Sequence, residues 1–194
     1  GLYEVCLAFA RQHRLAVVES MTLAALGIAC ALTGDLVRAA ELLPAALQMQ
    51  RAMKTTMAIG WTLQYLGILA YQQADYGRAA HYFIESLEAA PQGGSQFIVP
   101  PSLEGIAGIM SGRGQAEHAA RLLGAAEALR ETLDLHRPPI EQPLYNQIGA
   151  GVQTQLSADA LHVAWQAGRQ LSLAQAIAEA EVALRGEGQW ETRL

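Results

Sequence analysis

The chain has 194 residues, of which 52% are apolar and only 16% are charged, and its formal net charge is -5. Charged residues usually make up about a quarter of a soluble domain, so the composition predicts extensive burial or exposed apolar faces. The 13 basic residues are scattered, which argues against direct contact with nucleic acid, since that needs clustered Lys and Arg. We expect no apolar run as long as the about 18 residues of a membrane span, and no signal peptide. The chain begins without Met, which predicts a fragment or a processed product.

The two cysteines, Cys6 and Cys30, lie among apolar residues at helical spacing, with no CxxC or His-rich pattern nearby. A zinc site needs such a pattern, so we predict no metal, no other cofactor and two buried free thiols. Unpaired thiols suit the reducing cytoplasm, where we expect the protein to reside.

A repeat of 40 residues organises residues 1–133. Its matched columns include Gly27, Gly67 and Ala107, then Gly34, Ala74 and Gly114, then Leu43, Phe83 and Leu123. In each unit, apolar residues at helical spacing flank a polar break such as QQAD, which predicts two antiparallel helices. We expect Gly67 and Ala79 to face each other, because small side chains let two helices approach closely. The chain is predicted to start inside the second helix of a truncated repeat.

Prolines mark further features of the pattern. Pro44 lies well inside a predicted second helix, and we expect it to kink the helix without ending it. The stretch Pro91–Pro101 is predicted to be a loop. Residues 134–143 (DLHRPPIEQP) are predicted to be a Pro-rich linker.

Residues 144–186 are predicted to form three helices that cap the repeats, since the end of a solenoid must cover its core. Their markers are Leu144, Ile148, Val152 and Leu156 for the first, Ser157, Leu161, Trp165 and Gly168 for the second, and Ser172 with Gln175 for the third. Ser172 and Gln175 have the spacing of a capping box. Residues 187–194 are expected to be a frayed tail. The whole is predicted to be an all-α solenoid of helix hairpins, with about ten helices.

The second unit resembles the tetratricopeptide repeat. The matching residues, in the family's order, are Leu63, Leu66, Gly67, Tyr76, Ala79, Phe83 and Pro91. Ala74 stands where the family has a turn glycine, Ser86 stands where it has alanine, and the period is 40 instead of 34. The resemblance implies that the first helices of the units line a concave groove.

Three parts of the chain resemble the C-terminal repeats of large bacterial transcriptional regulators. They are Ser102–Leu133, the linker with Tyr145, and Ala164–Glu181. Such regulators carry a STAND-class ATPase domain, helical repeats and often a LuxR-type helix-turn-helix. The resemblance implies a non-catalytic interaction or sensor module that binds a partner protein, a segment of its own polypeptide such as the ATPase domain, or a small effector. This chain contains no GxxxxGK[ST] phosphate loop and no recognised helix-turn-helix, so its residues inherit neither ATP binding nor DNA binding.

By repeat position, the candidate groove consists of Met21, Ala25, Ile28, Trp61, Gln64, Tyr65, Ile68, Tyr71, Gln72, Glu104 and Ser111. This apolar and aromatic set suits a helix or an extended segment laid in a groove. Alternatively, Trp61 and Tyr65 only pack against neighbouring helices.

No residue is predicted to be catalytic, because no third group orients a reactive pair. The five histidines are dispersed, and we expect His81 and His118 on outer faces. An alternative function is a structural spacer that self-associates. We expect the isolated chain to form a homodimer through Tyr3, Cys6 and Leu7, because large exposed apolar patches usually find a partner.

Overall fold

The computed structural model describes residues 1–90, 95–138 and 141–185. In these ranges the chain forms ten α-helices and one 3₁₀ helix, without β-strands. The α-helices are α1 Leu2–Gln12, α2 Ala16–Thr33, α3 Leu36–Met53, α4 Thr56–Gln72, α5 Tyr76–Ala89, α6 Val99–Gly112, α7 Ala116–Thr132, α8 Gln142–Gln153, α9 Ala158–Arg169 and α10 Leu173–Arg185. The predicted all-α repeat fold with about ten helices is therefore confirmed over the described residues. The predicted tail, residues 187–194, lies outside them.

The helix starts follow the 40-residue repeat. Second helices start at Leu36, Tyr76 and Ala116, and first helices at Ala16, Thr56 and Gln96, the last through the 3₁₀ helix Gln96–Ile98 that leads into α6. Each first helix packs against the second helix of its own unit. α1 packs against α2 in the place that a preceding second helix would take. The repeat in the sequence is thus a repeat of helix hairpins.

The turn inside each hairpin has a residue in the left-handed region of backbone space. These residues are Gly34, Ala74 and Gly114, with φ of 87°, 59° and 76°. Glycine adopts this conformation without strain, whereas the Cβ of alanine disfavours it. Ala74 therefore occupies the turn position that the repeat pattern assigns to glycine. Asp35 and Asp75 then cap the second helices, accepting hydrogen bonds from the backbone N–H of Arg38 at 3.2 Å and of Arg78 at 3.0 Å.

The ring of Phe83 in α5 lies between glycines of two first helices. A Cβ built on Gly67 would lie 2.6 Å from Phe83 Cε1, and one built on Gly105 would lie 2.2 Å from Phe83 Cζ. The expected partner of Gly67, Ala79, is buried too, but the three atoms nearest to Gly67 belong to the Phe83 ring. The residue nearest to Gly67 is therefore Phe83, and the expected approach of Gly67 to Ala79 stays a prediction. The glycines make room for one large aromatic side chain that joins α4, α5 and α6.

Prolines are accommodated in helices at two places. α3 runs through Pro44 without a break, as predicted. The loop predicted at Pro91–Pro101 is wrong from Gln96 onward, because Gln96–Ile98 is a 3₁₀ helix and Pro100 and Pro101 lie in the first turn of α6. Proline fits there because N–H groups of the first turn have no partner within the helix. Residues 91–94 of the predicted loop lie outside the described residues.

The last three helices cover the third hairpin from different sides. α8 packs on α6 and α7, α9 packs on α7, and α10 contacts α5, α6 and α7. The Oγ of Ser157 accepts a hydrogen bond from the N–H of Ala160 at 3.2 Å, which confirms it as the N-cap of α9. Ser172 and Gln175 form the predicted capping box, with backbone-to-side-chain distances of 2.9 and 3.3 Å.

Two expectations fail near the start of the chain. α2 has 18 residues with a mean hydropathy of 1.8 and is half buried, so an apolar run of membrane-spanning length does exist. One such helix is weak evidence for a membrane protein, because a core helix of a soluble protein has the same composition; this one packs against α1 and α3. Cys30 is buried as predicted, but Cys6 is exposed, since α1 is covered by α2 on one side only.

Candidate functional site

The candidate groove is largely filled. Its buried members are Ile28, Gln64, Tyr65, Ile68, Glu104 and Ser111, its partly buried members are Ala25, Trp61 and Tyr71, and its exposed members are Met21 and Gln72. The rings of Trp61 and Tyr65 contact each other edge to face, with centroids 6.0 Å apart. The structure thus brings most of the predicted residues of α4 and α6 together, but other parts of the chain cover them.

The cover is α8 with its flanking residues. At one end of α8, the hydroxyl of Tyr65 in α4 donates a hydrogen bond to Oε1 of Glu141 at 3.1 Å. At the other end, Nε2 of Gln155 donates to Oγ of Ser111 in α6 at 3.0 Å. Between these contacts, Ile148 of α8 lines a void of about 20 Å³ together with Ile68 of α4 and Gly105 of α6. Part of the candidate groove is therefore occupied by a helix of the same chain.

A buried group of charged residues fixes the start of this cover. Arg130 donates to both carboxylate oxygens of Glu104, at 2.8 and 3.2 Å, and Arg137 donates to Oε1 of Glu104 at 2.8 Å. Arg130 also reaches Oε2 of Glu141 at 3.5 Å. Together with Tyr65, these residues are called the Glu104 cluster below. It joins α4, α6 and α7 to the segment that precedes α8.

Burial shifts the ionisation of this cluster. It raises the pKa of Glu141 above the ordinary value of a carboxyl, although Arg130 and Tyr65 act in the opposite direction. Burial also raises the pKa of Tyr65, and the carboxylate of Glu141 adds to that effect. Tyr65 is therefore a hydrogen-bond donor across the physiological range. The guanidinium of Arg137 lies 3.5 Å from the ring centroid of Tyr145 in α8, a cation–π contact.

The remaining part of the candidate groove is open. Met21 in α2 keeps 50% of its surface exposed, and Trp61 in α4 is only partly buried. The equivalent position of each of the three units is exposed as well, and it is occupied by Val17, Met57 and Phe97. Apolar side chains thus remain accessible on all three units.

A second opening lies between α8 and α9, which make few contacts with each other. This cleft measures about 630 Å³ and has an apolar lining of Leu123, Leu161 and Trp165 together with Tyr145. Asn146, Gln153 and His162 supply polar groups to its walls. α8 is therefore covered by helices on one side and borders open space on the other.

Sequence analysis identified Glu104 but missed Arg130, Arg137 and Glu141. For Arg130, the repeat contains a usable signal. Positions 24, 64 and 104 are Ala, Gln and Glu, and positions 50, 90 and 130 are Gln, Ala and Arg. Opposite charges occur at both positions only in the third unit, where α8 lies. A charged residue at a repeat position that is neutral in the other units thus indicates a contact specific to that unit.

The polar residues of catalytic type are dispersed. All five histidines are exposed, as predicted for His81 and His118. Across residues 1–90, 95–138 and 141–185, no group of three His, Cys, Asp or Glu side chains could hold a metal ion. Comparison of the chain with protein families, with curated proteins and with solved structures finds no significant match.

Proposed function

We propose that this chain is a non-catalytic interaction and sensor module of a bacterial transcriptional regulator located in the cytoplasm. In this proposal the first helices form a groove for a helical segment of a partner protein or of the regulator's own ATPase domain. The resemblance of Ser102–Leu133 and Ala164–Glu181 to such regulators motivates the assignment to transcription. A small effector is the second kind of ligand considered, and the cleft of about 630 Å³ is in the size range of ligand pockets.

One observation supports helix binding more than any other. The part of the groove formed by α4 and α6 already holds a helix, α8, and the residues that flank it bind Tyr65, Glu104 and Ser111. Helix-in-groove recognition uses apolar residues three, four and seven positions apart together with polar contacts at the rim. Leu144, Ile148 and Val152 of α8 follow one another at intervals of four residues and so lie along one side of the helix, and the contacts of Glu141 and Gln155 lie at its two ends.

A second candidate function, self-association as a scaffold, is supported by α1. Leu2, Val5 and Phe9 lie three and four residues apart on this helix and keep 78%, 68% and 54% of their surface exposed. Apolar stripes of this kind usually contact another protein surface. Neither function requires a reactive group, so we propose that the chain is not an enzyme.

The test starts from the complete coding sequence of the parent protein. A regulator is expected to have a phosphate loop before residue 1 and a helix-turn-helix after residue 194, and absence of both would contradict the proposal. The intact parent is then assayed on a promoter–reporter fusion with Met21→Glu and, as a matched control, Val182→Glu. Both positions are exposed apolar residues, but only Met21 borders the open groove. We expect Met21→Glu to change the induced reporter level at least threefold and Val182→Glu to leave it unchanged.

A further inference from the structure

We propose that α8 is an internal ligand of the groove, and that the partner is an amphipathic helix with the pattern of α8. This pattern is a carboxylate just before the helix, as in Glu141, followed by apolar residues in the places of Leu144, Ile148 and Val152. The inference rests on the proposed function, because it names the kind of partner that the groove binds.

The position of α8 distinguishes it from a simple stacking helix. A helix that only extends the repeat contacts its neighbouring unit, whereas the segment around α8 reaches back to Tyr65 in the unit before. It is bound at its start through Glu141 and just after its end through Gln155. α8 itself therefore packs on the first helix α6, and Glu141 just before it reaches a second first helix, α4.

The third unit contains a recess for one side chain of α8. Positions 28 and 68 are isoleucine in the first two units, but position 108 is glycine. A Cβ built on Gly108 would lie 2.9 Å from Cδ1 of Ile148 and 2.9 Å from the hydroxyl of Tyr71. The missing side chain leaves the space that Ile148 fills, so the α8 register is specified by a departure from the repeat.

The contacts that hold α8 suit exchange with a competitor. Only Ile148 and Val152 of α8 are buried apolar residues, while the residues before it are bound through the Glu104 cluster. Buried ion pairs determine position more than they add stability, because desolvation consumes much of their attraction. The outer side of α8 borders the open cleft of about 630 Å³. A competing helix that supplies the same carboxylate and apolar side chains replaces these contacts one for one.

Connection within one chain makes α8 a strong competitor. A tethered segment acts at an effective concentration of about 1 mM when its linker is short. The part of the groove under α8 is therefore closed to weak partners, and a partner that does bind there releases α8. Binding is thereby coupled to a movement of the C-terminal helices, which is what a sensor needs in order to transmit a signal.

A reversible tether tests this coupling in the full chain. The triple variant Cys6→Ser, Gly108→Cys, Ile148→Cys removes the exposed thiol and places two cysteines where Ile148 meets the recess at Gly108. The probe is a fluorescent peptide of residues 141–156 with Ile148→Ala (EQPLYNQAGAGVQTQL), which leaves room for the side chain introduced at position 108, and its binding is followed by anisotropy. We expect the reduced protein to bind the peptide at least tenfold more tightly than the oxidised protein. Equal binding by the two forms, or no binding to the reduced form, would overturn the proposal.

A cysteine-free pair provides a second test. Ile148→Ala weakens the internal helix but leaves the recess intact. The peptide of residues 141–156 that keeps its isoleucine (EQPLYNQIGAGVQTQL) should therefore bind to it at least fivefold more tightly than to the unaltered chain. Gly108→Leu combined with Ile148→Ala fills the recess and should abolish this gain. Val163→Ala, at an exposed position of α9, is the control and should bind as the unaltered chain does. A failed peptide gain with an intact Met21→Glu reporter effect would refute the internal ligand and leave the regulator function standing.

Discussion

Gly124 of α7 and Gly168 of α9 form a reciprocal contact in which each glycine faces the backbone of the other helix. A Cβ on Gly124 would lie 2.2 Å from the carbonyl oxygen of Trp165, and one on Gly168 would lie 1.9 Å from that of Arg121. Real Cβ atoms do not approach backbone atoms so closely, and a backbone cannot rotate away as a side chain can. This contact attaches α9 to α7.

The first prediction concerns these two glycines. We expect Gly124→Ala and Gly168→Ala each to lower the free energy of unfolding by about 2 kcal/mol, because overpacking exceeds the helix propensity that alanine adds. Urea denaturation measures the change. Gly149→Ala in α8 is the matched control, since a Cβ there meets nothing within 4 Å. It should raise the free energy of unfolding by up to about 1 kcal/mol. Destabilisation by all three variants alike would contradict the backbone contact.

The contact of Gly67 with the Phe83 ring gives the second prediction. Gly67→Leu should lower the free energy of unfolding by about 3 kcal/mol, whereas Gly149→Leu, at the open position, should change it little. Phe83→Leu introduces the residue type found at the equivalent positions 43 and 123. The free energy of unfolding of the double variant Gly67→Ala, Phe83→Leu should be at least about 1 kcal/mol higher than the sum of the two single changes predicts. Additive single changes would show that glycine and ring do not interact.

The third prediction reverses the usual effect of glycine. Ala74 has a φ of 59°, so Ala74→Gly should raise the free energy of unfolding by about 1 kcal/mol, because the turn no longer strains a Cβ. Gly34, at the same position one unit earlier, has a φ of 87°. Gly34→Ala should lower stability by a similar amount. Thermal unfolding of the pair compares the two directions, and a destabilising Ala74→Gly would count against the turn assignment.

The fourth prediction concerns pH. Because burial raises the pKa of Glu141 above its ordinary value of 4.5, the folded chain holds this proton more tightly than the unfolded chain. The comparison is between the free energies of unfolding of the unaltered chain and of Glu141→Gln. The stability advantage of the unaltered chain should fall as pH rises from 4.5 through the raised pKa of Glu141, and should stay constant above it. Denaturation titrations between pH 4 and pH 8 follow this difference.

Glu131 provides a control of opposite sign for that titration. Arg169 donates to both of its carboxylate oxygens and lowers the pKa of Glu131 below its ordinary value. Its stabilising contribution is present above pH 4.5 and is lost as pH falls through the lowered pKa. The difference between the unaltered chain and Glu131→Gln should then rise with pH over the acidic window. The same trend for both variants would contradict the burial of Glu141.

The fifth prediction concerns self-association. Of the residues predicted for a dimer contact, Tyr3 and Cys6 are exposed and Leu7 is buried. Leu2, Val5 and Phe9 add exposed apolar surface to α1. Light scattering of the isolated chain should show a dimer that Val5→Lys with Phe9→Lys converts to a monomer. Val163→Lys with Val182→Lys alters two exposed valines elsewhere and should leave the dimer intact. A monomer at high concentration would refute the expectation.

The helices and their spacing could be predicted from sequence because helix periodicity and the turn residues are local signals. Gly34 and Gly114 mark hairpin turns, and Ser157 and Ser172 mark helix starts, without reference to the rest of the chain. The site depends on long-range contacts. Tyr65 and Glu141 are 76 residues apart, and the periodicity of α8 does not specify which face of the repeats it covers. The glycine at position 108, where the first two units have isoleucine, was a sequence signal for the contact of α6 with Ile148 of α8.

The equal spacing of the helix starts has a consequence for how such a chain changes in length. A deletion of residues 56–95 would join Thr55 to Gln96 and leave every later helix at its place in the pattern, and a duplication of the same segment would do so too. Single recombination events between neighbouring units can therefore shorten or extend the array without changing the register of the helices that follow. The unit that binds α8 would keep its own recess and charges through such an event, because they are encoded after residue 95.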